Sequence, residues 1–345
     1  MNPLLAAVAD WGKAVARGWD RYWFTPEQPQ TLALIRICGG AMLLYTHLVW
    51  TLDLEAFLGP HAWLTADTVT LMNQTLDARG IAHGYAWSYL SMVQSPALLW
   101  TLHLAALVVF AMLTIGLYSR VTSILSCIIT LAYCNRLTGA WFGLDQINAF
   151  IAIYLMVGDC GGAYSVDRWL ARRRGNEGPP LSTIGTNIAV RLLQVHLCII
   201  YLFGGIGKMQ GDSWWNGGAT WMSIASLEYQ SIDVTWLVRY RWLLALMTHV
   251  TVFWEASYCF LIWPKLTRPI VLALAVMVHG GIALFLGMKT FGLAMIIGNL
   301  VFVSPQFVHA VVTWLCRLPR RTATASPVER NEVPAGRRQS MMVAS

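Results

Sequence analysis

The sequence predicts an all-α integral membrane protein, a bundle of about eight transmembrane helices preceded by an interfacial helix. Three observations carry the prediction. The 345 residues are 57% hydrophobic and only 12% charged, against roughly 25% charged in an ordinary soluble domain. The apolar residues gather in runs long enough to cross a hydrocarbon core of ~30 Å, which takes about 17–25 helical residues. Lysine and arginine fall between those runs, so the net charge of +7 reads as a topology signal. No basic stretch interleaved with aromatics points to nucleic acid.

Residues 1–29 come first. They lack the short apolar core and small-residue cleavage site of a secretory signal. Instead Leu4 to Phe24 mixes Trp11, Trp19 and Trp23 with Lys13, Arg17 and Arg21, the composition of an amphipathic helix lying in the membrane interface. Pro26 and Pro29 then punctuate the entry to the bundle.

The transmembrane domain covers residues 30–317 and divides into four pairs of apolar runs. The first pair is Thr31 to Trp50 and Pro96 to Gly116; the second is Val121 to Trp141 and the shorter Leu144 to Val157. Ile184 to Ile206 and Trp242 to Trp263 form the third, Pro269 to Leu286 and Phe291 to Cys316 the fourth. Every even gap is basic. Arg120 follows span two; Arg168, Arg172, Arg173 and Arg174 follow span four; Lys265 and Arg268 follow span six; Arg317, Arg320 and Arg321 follow span eight. The first odd gap, Thr51 to Ser95, carries Asp53, Glu55, Asp67 and Asp77 against Arg79. Cytoplasmic loops concentrate Lys and Arg, so both termini are expected in the cytoplasm and Lys208 at the opposite surface. Residues 318–345 are polar, contain Pro and Gly, and are poor in apolar side chains, which predicts a disordered cytoplasmic tail.

Seven cysteines, an odd number, fall mainly inside apolar spans without the paired spacings of a disulfide or zinc framework. They read as small apolar filler. There is no phosphate loop, no Gly-x-Ser-x-Gly nucleophile elbow and no clustered metal-ligand spacing, so no metal is expected.

The stretch Tyr201 to Lys208, YLFGGIGK, places a primary amine at the end of an apolar helix, just before the aromatic, Gly-rich GDSWWNGG. An ammonium taken out of water is disfavoured, its pKa falling by up to ~3–5 units when fully buried, and such a lysine can act as a base near neutral pH. The plainer reading is a lysine that snorkels to headgroups or water. Arg191, Gln194, Cys198, Tyr201, Gly205 and Lys208 recur at three- and four-residue steps and so share one helix face. Interhelical hydrogen bonds of ~0.6–2 kcal/mol each would account for such a face without a ligand. Gly204, Gly205 and Gly207 let either a second helix or a flat ligand come close.

Other polar groups inside the spans are Arg36, His47, Asp145, Gln146, Asn148, His196, His249, Glu255 and His279. Each is costly in lipid and should face a partner or a cavity. Asp145 and Asn148 lie three residues apart on one face, level with Lys208 in the expected topology, where an acid would tune the amine. Glu255 lies near the middle of span six. Half-satisfied, it would suggest proton movement; paired with Arg191 or Arg36, it would be structural.

YLFGGIGKM with the Trp-rich stretch after it, then VFWEASYCFLIWP, then VHGGIALFLGMKTFGLAM resemble, in order and spacing, the membrane region of the vitamin K-dependent gamma-glutamyl carboxylases and their bacterial relatives, the HTTM (horizontally transferred transmembrane) proteins. DRYWFTPEQPQTLALIRI, FLGPHAWL and YSVDRW add to the resemblance, which runs from about Asp20 to Pro319. It implies that Lys208 deprotonates a reduced vitamin K-type naphthoquinone. O2 then adds to give a strong base, which removes a glutamate γ-proton so that the carbanion takes up CO2. On the same resemblance His279 is an active-site histidine that donates a hydrogen bond to a quinone oxygen. The quinone or substrate site is expected to include Tyr201, Gly205, Trp214, Trp215, Asp145, Gln146 and Glu255.

The resemblance departs in two places. FGLDQINAF stands where the carboxylases carry an Asn-His pair, so the handling of the glutamate or its carbanion is not carried over. No β-rich, propeptide-gripping portion follows span eight, so a separate soluble protein or a peptide substrate is the expected partner, besides the lipid bilayer. Quinol epoxidation is therefore better supported than carboxylation. The expected function is that of a vitamin K-dependent gamma-carboxylase-like, quinol-linked enzyme of a bacterial inner membrane, a lyase by reaction class. The alternative is a noncatalytic lipid- or quinone-binding bundle or transporter, which predicts a charged, water-exposed Lys208. A transporter favours broken helices in matching halves, and the chain shows no clear internal repeat.

Overall fold

A computed structural model describes residues 3–79, 87–140, 142–176 and 178–317. The expected tail and Trp141, the predicted end of span three, lie outside the described residues. The first half holds α1 (Pro3–Phe24), α2 (Gln30–Trp50), α3 (Leu54–Leu58), α4 (Ala66–Ala78), α5 (Pro96–Ile115), α6 (Ser119–Arg136), α7 (Gly143–Val157) and α8 (Val166–Arg173). The second holds α9 (Ile184–Met209), α10 (Asp212–Trp215), α11 (Ala219–Ile224), α12 (Arg241–Leu261), α13 (Arg268–Phe285), α14 (Lys289–Asn299) and α15 (Pro305–Arg317). Among the described residues the β-structure amounts to an isolated antiparallel bridge between Glu27 and Thr183.

The all-α membrane-type bundle stands; the count of eight spans is not confirmed by helix length and composition. Among the described residues five helices are long and apolar enough to cross a membrane: α2 with its continuation to Leu58, α5, α9, α12 and α13. The shortfall has local causes. α7 has only 15 residues, and α6 turns Ser119, Thr122, Ser123, Ser126 and Thr130 into the bundle, which lowers its apolar character. The predicted single span Phe291 to Cys316 is broken, α14 and α15 being bent by 115°. Pro305 opens α15, and proline pushes its predecessor out of the helical region; Val303 is already extended. Counting that bent pair as one span gives six.

α15 is therefore a separate amphipathic helix. Phe307, Val311, Trp314 and Leu315 are exposed at the three- and four-residue steps of one face. α1 carries a similar exposed stripe, Leu4, Val8, Trp11, Val15 and Trp19, as an interfacial helix requires. Its end is tied to α9, where Asn187 Nδ2 donates to the carbonyls of Tyr22 and Trp23, both at 2.8 Å.

The main core runs from Leu32 and Ile35 on α2 through Phe110 on α5 and Ile151 on α7 to Leu197 on α9 and Tyr258 on α12. Several of the polar groups singled out from the sequence join helices. Arg36, fully buried, donates from Nη1 to the Leu113 carbonyl at 3.2 Å and from Nη2 to the Tyr164 carbonyl at 2.6 Å. His196 Nδ1 lies 2.7 Å from the Tyr154 hydroxyl. A second cluster, Ile224, Val234, Leu237 and Leu244 with Trp221, Phe285 and Leu286, caps the bundle beyond the end of α9. The site lies beneath that cap.

Candidate active site

α9 and α12 pack closely because Gly205 meets Ala256: a Cβ at Gly205 would lie 2.5 Å from the Ala256 backbone nitrogen. Small residues at a helix crossing let backbones approach. Almost a full turn further along, that approach brings Lys208, in the last turn of α9, against Glu255. Their Nζ and Oε2 are 2.5 Å apart, and the side chains keep 29% and 9% of their exposure. The amine also stands 5.5 Å from the centre of the Trp214 ring, within cation–π reach. Gly204 faces the pair, and a Cβ there would lie 3.3 Å from Glu255 Oε2 and 3.8 Å from Lys208 Nζ.

The pair opens onto a cavity of about 540 Å³, within the ~300–1,000 Å³ of small-molecule sites. Ile147, Ile200, Met247, Val250, Leu274, Phe291 and Met295 make most of its wall apolar. Gln146, Thr220, Ser223 and Thr251 add polar points, and Lys208, Glu255, Tyr201 and His279 are the titratable ones.

A fixed hydrogen-bond chain runs into this wall. Asn299 Nδ2 donates to the Met295 carbonyl at 2.9 Å, which sets the orientation of its amide. Asn299 Oδ1 then accepts from the Tyr258 hydroxyl at 2.7 Å, and the second Nδ2 hydrogen reaches the Tyr201 hydroxyl oxygen at 2.8 Å. The hydrogen of Tyr201 is left to point at His279 Nε2, 2.8 Å away. That assignment makes Nε2 the acceptor and puts the imidazole proton on Nδ1. His279 is 3% exposed, and its Nδ1 is buried without a partner.

Of the residues singled out from the sequence, Lys208, His279, Tyr201, Trp214, Gln146 and Glu255 line one cavity. Three do not. Gly205 is consumed by the α9–α12 contact, and Gly204 takes its place in the lining. Trp215 points outward, 55% exposed, its Nε1 donating to the Met209 carbonyl at 2.6 Å. Asp145 caps its own helix, accepting from the Phe142 backbone at 3.2 Å, and lines a separate crevice with Asn148, His47 and Cys134. Its hydrogen bond and the crevice it lines do not include Lys208. Glu255 takes Lys208 rather than Arg191 or Arg36; Arg191 instead donates to Gln194 at 3.0 Å and lies over the Tyr22 ring. Asn299 and Tyr258 were not singled out. An Asn inside the apolar run LAMIIGNL is a signal of the same kind as the others.

These observations define a multi-pass, all-α membrane protein with an amine–carboxylate pair set in the wall of an apolar cavity. The chain belongs to the HTTM family, whose domain matches residues 67–307, a family associated with vitamin K-dependent carboxylase-like proteins. No match is found among curated proteins, nor among solved structures.

Proposed function

We propose that the protein is a quinol-linked membrane enzyme, its cavity taking a reduced naphthoquinone of the vitamin K type. The observation that carries the reading is the placement of the Lys208–Glu255 pair and of His279, whose Nδ1 has no partner, on one apolar cavity. A reduced naphthoquinone supplies two reducing equivalents and an ionisable hydroxyl, so that with O2 one oxygen atom enters an epoxide and the other leaves as water.

The chain's own groups have distinct parts. Lys208 donates to Glu255 at 2.5 Å, so a hydroxyl proton would be taken up by the pair rather than by the amine alone. His279 would donate from Nδ1 to a quinone oxygen, its imidazole oriented by Tyr201. The apolar wall excludes water from the charge that develops, which strengthens both contacts. Gly204 lines the cavity beside the pair without a side chain of its own, which would let a flat ring edge come close. Carboxylation with CO2 would need a substrate glutamate brought by a peptide or a separate protein.

The test adds reduced naphthoquinone and then oxygen to purified protein in anaerobic detergent and follows the quinone spectrum and the epoxide, with wild type beside Lys208→Ala and Glu255→Gln. Oxygen-dependent epoxide formation, lost in Lys208→Ala, is the expected result. Equal behaviour of wild type and Lys208→Ala, with no epoxide from either, removes the catalytic reading and leaves a lipid- or quinone-binding bundle in which the ion pair only joins α9 to α12.

A further inference from the structure

A second cavity, of about 600 Å³, lies at the other end of the bundle. Three helix starts border it: α2 at Gln30, α8 just after Ser165 and α15 at Gln306. Arg168 and Arg172 project into the lining, which contains no Asp or Glu. Asp167 of the same helix turns away, accepting from the backbones of Tyr118 and Ser119 at 2.8 and 2.7 Å.

Two polar atoms here are buried with no partner, and they are of opposite kinds. Gln30, 8% exposed, leaves its Oε1 acceptor unused, and Arg168 leaves its Nε donor unused. A buried polar group without a partner is costly. An occupant that offers both an anionic acceptor and an N–H or O–H donor would satisfy the two together.

The surroundings indicate where that occupant comes from. α15, which contributes Gln306 and His309 to the cavity, carries the exposed apolar face Phe307, Val311, Trp314 and Leu315. Trp169, at the cavity's edge, is half exposed under the Arg173 guanidinium, 4.0 Å from its ring centre. Amphipathic helices with Trp and Arg at their borders sit at headgroup level, and arginine matches phosphate geometry.

We propose that this cavity seats a phospholipid headgroup, its phosphate on Arg168 and Arg172 and its terminal hydroxyl or ammonium donating to Gln30 Oε1. The site is distinct from the Lys208 cavity and does not depend on the quinol reading.

The experiment is native mass spectrometry and thermal melting of detergent-purified protein with added dioleoyl phosphatidylglycerol. Dioleoyl phosphatidylcholine, whose headgroup has no N–H or O–H, and soluble glycerol 3-phosphate serve as comparisons. Phosphatidylglycerol should be retained and raise the melting temperature, phosphatidylcholine less so, and glycerol phosphate at the same concentration not at all. Arg172→Gln, at an exposed position, and Arg168→Gln should each weaken phosphatidylglycerol retention roughly ten-fold, and Gln30→Leu should remove the preference over phosphatidylcholine. Wild-type melting of Arg172→Gln without lipid keeps the result independent of folding. Retention unchanged by Arg172→Gln overturns the proposal. So does an equal shift with glycerol phosphate, which would make this a site for soluble organophosphates.

Discussion

The hydroxyl of Tyr201 stands 2.8 Å from Nε2 of His279, and the direction of that one hydrogen bond decides which face of the imidazole can donate. Tyr201→Phe keeps the ring that stacks on Tyr258 at 4.0 Å and removes only the O–H. In protein labelled with 15N-histidine, His279 should read as the Nδ1–H form in wild type and as a mixture of tautomers in the variant. Quinol affinity should fall about 5–10-fold. Unchanged ring signals would refute the assignment, and unchanged affinity would detach His279 from the ligand.

The two halves of the ion pair should not be equivalent. Lys208→Met leaves a carboxylate at a side chain only 9% exposed, whereas Glu255→Gln leaves an amine at one still 29% exposed, which can turn to water. Each change should cost about 1–3 kcal/mol, with Lys208→Met the larger. Lys208→Met/Glu255→Gln should cost clearly less than the two together, because neighbours that share one interaction are not additive. Chemical denaturation in a fixed detergent reads all three; additive losses would mean that the pair is not a unit.

Adjacent glycines should behave differently. Gly205→Ala drives a methyl into the backbone of Ala256, so α9 and α12 must part, at a cost of about 1–3 kcal/mol. Gly204→Ala meets only side-chain atoms at 3.3 Å and beyond, so its melting temperature should stay near wild type while quinol affinity drops. Equal destabilisation by both would count against the space beside the pair.

Arg36→Ala should be the most damaging of the changes named here. It strips the carbonyls of Leu113 and Tyr164 of a buried donor and opens a cavity in the core, for about 2–4 kcal/mol. Cys127, Cys160 and Cys198 are free and buried, so a thiol-reactive dye reports the loss as labelling at a lower temperature. A wild-type labelling curve would show that the arginine is dispensable.

How much of this was legible in the sequence differs by residue. Lys208 and His279 stood out because an ionisable side chain in an apolar run is anomalous by itself, and Tyr201 followed from helical spacing. The partner of Glu255 did not follow. Periodicity places a residue on a face but says nothing of which face of another helix it meets, so Arg191 and Arg36 were as eligible as Lys208. Gly204 and Gly205 are neighbours in sequence but differ in orientation by about 100°, and only the crossing with α12 shows which is spent on packing. The break after Phe302 was masked for a related reason. Hydropathy sums through VFVSPQFVHAVV without registering that Ser304–Pro305 turns the chain.

Gln30, Tyr164 and His309 border the same cavity, although they are far apart along the chain. Any path that leaves one face of a sheet of lipid and comes back to it must traverse it an even number of times. With that cavity at headgroup level, as proposed above, the stretch from Gln30 to Tyr164 and the stretch from Tyr164 to His309 would both be such round trips. A reporter placed just before Gln30 and one placed just after Arg317 should therefore light up in the same compartment, whichever compartment that is and however the short helices are counted.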